Sequence, residues 1–312
     1  MVVKVWIYFY CICLWRFLKF ILRKLTGRCE LQRICYKNKP GAGRTLKIGI
    51  CVMGNINLHT VHLCQELILH PRVVDPSAKF YIQARALTGV ECVCRPKLPL
   101  FKAKIRGFWA CLLQIVGYRN LTVEIEKLRR EAFDSEDPQH EEMLLKLWKA
   151  LKPNVPLEAR ISKQWCEIGF QGDDPKTDFR GMGLLGLYNL VTCLAEQGST
   201  LRYRSSFIIS PFLMYSFAIV GINITDLAYN LLISGALKTH LYNVAPEAPT
   251  LHHFQQTFCF LMHEFHKFWI EEDPLDIMEF NRVRNKFHKH ILKQLQNTVC
   301  DVKCNILNLM DS

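Results

Sequence analysis

Leu251-His-His-Phe254-Gln-Gln-Thr-Phe258-Cys-Phe-Leu261-Met-His-Glu-Phe265-His-Lys-Phe268-Trp269 places its large apolar residues at steps of four and three. A helix of 3.6 residues per turn gathers Phe254, Phe258, Leu261, Phe265 and Phe268 on one face, so this stretch predicts a helix turned toward a core. The next segment repeats the pattern: from about Pro274 to Leu295, Ile277, Phe280, Val283, Phe287 and Ile291 fall on one side. Upstream, helices are expected over Leu121–Phe133 and His140–Lys152, the second with Leu144, Leu147, Trp148 and Leu151 at helical spacing. Asp134-Ser-Glu-Asp-Pro138 separates them, with its proline near the start of the second helix, where a missing N–H costs nothing. No run of alternating, β-branched residues occurs in the carboxy-terminal two thirds. The expected class is mainly α.

Two regions are harder. Ser205–Thr225 has no charged residue over 21 positions, interrupted by Pro211, Gly221 and Asn223, and a helical pattern starts at Asp226 and ends at Gly235. A core helix entered by a loop is expected there rather than a membrane span. Arg44–Phe108 holds short apolar pieces and many turn residues without a sustained period, and it predicts no particular structure.

The net charge of +12 on 312 residues suggests nucleic acid until it is located. Residues 1–47 carry eleven of the forty Lys/Arg and, of the twenty-eight Asp/Glu, only Glu30, so the rest of the chain is close to neutral. No nucleic-acid-binding motif accompanies the basic segment, and nucleic acid is not an expected partner. Its basic residues interleave with an aromatic-rich run from Val2 to Trp15, whose uncharged part is shorter than a bilayer span of about 20 residues. That mixture suits the interface of an anionic membrane, and equally a terminal helix docked on the core. Fourteen scattered cysteines without a convincing secretory signal read as reduced thiols, so a cytoplasmic location, peripheral on endomembranes, is expected.

Several chemical signals have bland readings. Gly181-Met-Gly183-Leu-Leu-Gly186 matches the dinucleotide fingerprint, but a turn precedes it where a strand is required, so its glycines are expected to permit close helix packing. His263-Glu-Phe-His266 spaces its histidines by three, and Cys51, His59, His62, Cys64, Cys92 and Cys94 lack paired knuckles, so no metal site is expected. Asp173, Asp174 and Asp178 lie among Gly172, Pro175 and Lys176 as turn formers; Asp178 or Thr177 is expected to cap a following helix, and Asp178 also to orient Arg180. From the residues alone, Arg180 is either a guanidinium offered by a turn or half of a salt bridge with one of these aspartates.

The stretch Trp165-Cys-Glu-Ile-Gly169-Phe170-Gln171-Gly-Asp-Asp-Pro175-Lys-Thr177-Asp178-Phe179-Arg180-Gly181-Met-Gly183-Leu-Leu-Gly186-Leu resembles, position for position, the signature of the ELMO domain-containing family. Gly117-Tyr-Arg-Asn-Leu121, His140–Trp148, Tyr215–Tyr229, Phe254–Lys286 and Leu25–Cys35 resemble it too. The resemblance implies a helical ELMO domain, here 109–298, after a basic, apolar helical extension over 1–47 and a divergent segment over 48–108, with a tail over 299–312. It implies an activator of GTP hydrolysis by Arf-family and Arf-like small GTPases rather than an enzyme in its own right. Arg180 would be the catalytic arginine finger. Trp165, Gly169, Phe170, Gln171, Pro175, Thr177, Asp178, Phe179, Gly181 and Gly183 would form the supporting loop. No cofactor of its own is implied, since GTP and Mg²⁺ belong to the partner GTPase. The alternative is a non-catalytic scaffold, as in the related ELMO proteins that assist exchange factors for Rac. The chain departs from the family's pattern after Leu190, where Val191-Thr-Cys-Leu-Ala-Glu stands in place of a Tyr-Phe pair, and through Gln197–Met214.

Overall fold

A computed structural model describes residues 41–53, 99–199 and 211–296, with scattered positions between 14 and 38. Most of the basic, apolar segment, His59 to Cys94 and the tail from 299 lie outside the described residues. Among the described residues there are helices and turns and no strand. The chain divides into two compact units, Met1–Val116 with Pro246–Ala248, and Gly117–Ala245 with Pro249–Ser312.

In the first unit, α1 (Ala42–Met53) meets the early part of α2 (Pro99–Arg130). Thr45 Oγ1 donates to Gln114 Oε1 at 2.7 Å, which satisfies two buried polar groups at once. Gly49 faces the Ile115 side chain.

The second unit holds the rest of α2, then α3 (Pro138–Leu151), α4 (Gly183–Ser199), α5 (Pro211–Ile233), α6 (Lys238–Val244), α7 (Leu251–Glu272) and α8 (Phe280–Gln296). Among its described residues, 3₁₀ turns punctuate it at Lys163–Ile168, Pro175–Arg180 and Ile277–Glu279. Helix α5 is central: it packs on α4, on α7 and on the first 3₁₀ turn. Phe254, Phe258, Leu261 and Phe265 of α7 are buried, each burial worth roughly 1.5–3 kcal/mol. The fifth expected member, Phe268, is only half-buried and lies against Phe287 of α8 at 5.5 Å between ring centroids; Trp269 is buried in its place.

The break between α2 and α3 forms as expected. Asp137 caps α3 by accepting the Gln139 N–H at 2.8 Å, and Pro138 takes the first helical position. Elsewhere the boundaries move. Helix α2 starts at Pro99, far upstream of Leu121. Helix α8 begins at Phe280, because Asp276 caps a short 3₁₀ turn there first. No break separates an apolar stretch from a helix at Asp226: α5 runs unbroken from Pro211, and Asp226 pairs with Arg284 of α8 instead of ending a loop. Within α5, a Cβ on Gly221 would fall well inside 3.0 Å of the Leu190 side chain, so glycine lets α4 and α5 close on each other.

No single helix among the described residues is long and apolar enough to cross a membrane. One bent pair, Phe217–Ile233 with Lys238–Val244 at 91°, meets the criterion by length and composition alone. Its apolar side chains, Phe217, Val220, Ile224, Leu227 and Leu231 among them, are buried within the protein. Among the described residues no disulfide joins Cys111, Cys166, Cys193 or Cys259.

Candidate functional site

Arg180 ends the 3₁₀ turn Pro175–Arg180, with its side chain exposed. The turn is built locally. The Asp174 carboxylate accepts the Lys176 N–H at 3.0 Å, Pro175 supplies a fixed φ at the first position, and Thr177 Oγ1 donates to Asp174 O at 2.9 Å. Asp174 is therefore the cap, and it caps this turn. The expectation that Asp178 or Thr177 would cap the following helix is corrected: Thr177 bonds back within the turn, and helix α4 starts against other backbone groups.

Asp178 faces the preceding loop, where its carboxylate accepts the Gln171 N–H at 2.8 Å. Burial raises its carboxyl above the usual range, while the Gln171 N–H and the nearby positive charge of Arg180 pull the other way. Asp178 is thus felt by Arg180 through its field only. Among the described residues Arg180 makes no ion pair, and the salt-bridge alternative does not occur. Its Nε donates to the Thr177 carbonyl at 2.8 Å, and the side chain is exposed.

Beneath the turn lies an aromatic stack that anchors it. Phe179, buried, lies 5.8 Å from Phe133 and 5.7 Å from Phe170 between ring centroids. Phe170 meets Trp165 edge-on at 5.8 Å, and Trp165 meets Trp148 of α3 at 5.4 Å. The indole N–H of Trp165 donates to Arg160 O at 2.9 Å, so this buried polar atom has a partner. Gly169, at φ 94°, ends the first 3₁₀ turn in the left-handed region, and its carbonyl accepts the Ile219 N–H of α5 at 3.1 Å. Pro175 is buried, Gln171 exposed.

Behind the turn, α4 starts on the carboxy-terminal end of α2. Leu184 N donates to Glu131 O at 2.9 Å, pairing an orphan donor of one helix start with an orphan acceptor of another helix end. Gly183 sits at φ 53°, and a Cβ there would fall well inside 3.0 Å of the Arg129 and Glu131 carbonyl oxygens. Gly186 faces Phe179 and Ile222. The close-packing reading of the glycine fingerprint holds for Gly183. At Gly186 an added Cβ would make only ordinary contacts, and at Gly181 it would meet nothing among the described residues within 4 Å.

Sequence reasoning missed Arg160. Its Nε donates to Glu141 Oε1 of α3 at 2.6 Å, its Nη1 to Asp174 Oδ1 at 3.0 Å, and its guanidinium lies over the Phe133 ring at 5.4 Å. Nothing in the local sequence marks it, because its two acid partners are 19 positions before and 14 after. Ser162 N also donates to Asp173 O at 2.9 Å, tying the Arg160 loop to the loop before the turn.

The segment after Leu190 continues α4 through the described part of the departure, with Cys193 buried. Residues 200–210 lie outside the described residues. Among the described residues no group of three or more His, Cys, Asp or Glu is gathered that could hold a metal ion.

A family model described as the ELMO/CED-12 family matches residues 123–284. The chain is 59% identical to the ELMO domain-containing protein 1 of Homo sapiens over 95% of this chain and 93% of that protein. It is 46% identical to the ELMO domain-containing protein 2 of Mus musculus over 93% and 95%, and 31% identical to the ELMO domain-containing protein B of Dictyostelium discoideum over 90% and 94%. No solved structure matches.

Proposed function

The chain belongs to the ELMO/CED-12 family, and we propose that it stimulates GTP hydrolysis by Arf-family and Arf-like small GTPases, with Arg180 as an arginine finger. The observation that carries this is the state of Arg180: an exposed guanidinium, steered by one bond to Thr177 O, on a turn held from below by Phe179 and from the side by Asp174. An arginine kept for stability would be paired with a carboxylate. This one is held in place and left open to a partner.

In such a reaction the partner holds GTP, Mg²⁺ and the attacking water. Arg180 would enter from outside and neutralise the charge that grows on the β- and γ-phosphate oxygens in the transition state. A finger supplied in trans is worth about 10³–10⁵ in rate, or roughly 4–7 kcal/mol. Because the side chain loses little on docking when its turn is already formed, most of that stabilisation is available to the transition state.

Single-turnover hydrolysis on a panel of Arf and Arf-like GTPases tests this. The protein should accelerate hydrolysis, and Arg180→Ala should remove nearly all of the acceleration. Because Arg180 is exposed, the same substitution should change folding stability by less than about 0.5 kcal/mol. Equal stimulation by both forms would end the finger assignment; binding without any stimulation would favour a scaffold.

The proposed working place is the cytoplasmic face of an anionic membrane, approached through the basic, apolar residues 2–24. Phe17 and Phe20 within that segment are exposed, at 59% and 57%. Aromatic side chains among basic ones have a natural resting place at a lipid interface.

A further inference from the structure

Some glycines around the Arg180 turn have a structural reason, while at Gly172, as at Gly181, an added Cβ would meet nothing among the described residues within 4 Å. Gly169 and Gly183 occupy left-handed backbone, and Gly221 lets two helices close. Gly181, next to the finger, has none of these reasons. Its backbone is right-handed, at φ −81° and ψ −40°, a conformation any residue adopts. It is exposed, and an added Cβ would meet nothing among the described residues within 4 Å. In such a position glycine only adds freedom to the unfolded chain, so the fold by itself would be better served by alanine.

We infer that Gly181 is the close-approach position of the docked complex: it carries no side chain so that the surface of the GTPase can close against the backbone beside Arg180. This rests on the function proposed above and deepens it by assigning the residue that sets how far Arg180 reaches. The finger must cross the gap between two proteins and place its terminal nitrogens on phosphate oxygens. Its reach is limited, since Nε is already tied to Thr177 O at 2.8 Å. Any atom added at position 181 would stand between the two surfaces at the root of the finger and hold Arg180 back. Gly181 is a positioning residue, acting through Arg180.

The experiment compares the full chain with Gly181→Ala, Gly181→Leu, Arg180→Ala and Gly43→Ala. Gly43 is the control, because it is also exposed with nothing within 4 Å but lies on α1, in the other unit. Single-turnover hydrolysis by an Arf-family GTPase is followed over a range of activator concentrations up to saturation, and thermal melting is recorded for each variant. A misplacement of about 1 Å costs on the order of 10²-fold, so the maximal rate should fall about tenfold for Gly181→Ala and about a hundredfold or more for Gly181→Leu. Gly43→Ala should match the wild type, and neither Gly181 variant should melt below it.

Unchanged rates for both Gly181 variants would overturn the inference. So would an equal loss for Ala and Leu, which would mark position 181 as a hinge, or a loss that tracks a lowered melting temperature. If the wild type shows no acceleration that Arg180→Ala removes, the proposed function falls and this inference with it. If it does show that acceleration, the Gly181 variants judge the inference alone.

Discussion

Arg160 Nη1 and the Lys176 N–H converge on one oxygen, Asp174 Oδ1, each at 3.0 Å. A carboxylate that caps the Arg180 turn is thereby held by a guanidinium that also grips Glu141 on α3. The turn's cap and the helix beneath it are joined through one side chain. Because the partners are partly exposed, the network serves position more than stability.

Arg160→Ala should therefore cost only about 1 kcal/mol of stability or less, the scale of partly exposed ion pairs. It should also lower GTPase stimulation about tenfold to a hundredfold, though Arg180 is untouched. Urea unfolding and single-turnover rates measured on the same preparations check both effects. Arg160→Lys should recover only part, since an ammonium cannot span both carboxylates as the planar fork does.

At Gly183 the backbone admits no side chain. Gly183→Ala should destabilise the protein by more than about 1–3 kcal/mol, combining left-handed strain with a clash against fixed carbonyls. Gly186→Ala, in helical backbone with only ordinary side-chain contacts, should be tolerated far better. Chemical unfolding of the two variants side by side decides it.

His240, buried on α6, supplies a pH dependence. Burial, and to a smaller degree His253, lowers its pKa to about 4 from the usual value near 6.5. The unfolded chain protonates this residue near pH 6.5 while the folded one resists. Stability present above that pH should be lost as pH falls toward 4, by on the order of 3 kcal/mol in total. His253, His263 and His266 are lowered in the same direction and add to the slope. His240→Gln should flatten, without abolishing, the fall in unfolding free energy between pH 6.5 and 4.

Deleting residues 2–24 should weaken binding to vesicles containing anionic lipid, and the wild-type binding should fall steeply with salt. Sedimentation with anionic and neutral vesicles at two ionic strengths is the measurement. Binding that survives the deletion would mean the segment docks on the protein instead.

The helical class, the core stripe of α7 and the break at Asp134–Pro138 were legible in the sequence because each is local: side-chain periodicity and a capped proline turn act within a few residues. So was the place of Arg180 on a polar turn. Its freedom from the neighbouring aspartates was not legible. Short-range spacing makes Asp174 and Asp178 look like its partners, and tertiary contacts give them to Arg160 and to the Gln171 N–H instead. The uses of the glycines were equally hidden, since Gly183 answers to carbonyls at the end of α2, some fifty positions earlier in its course, and Gly181 to nothing among the described residues. Sequence by itself determined which segments coil and which residue types a partner could meet. Only the tertiary structure decided which charges are already taken, because pairing depends on distances between segments that local periodicity does not encode.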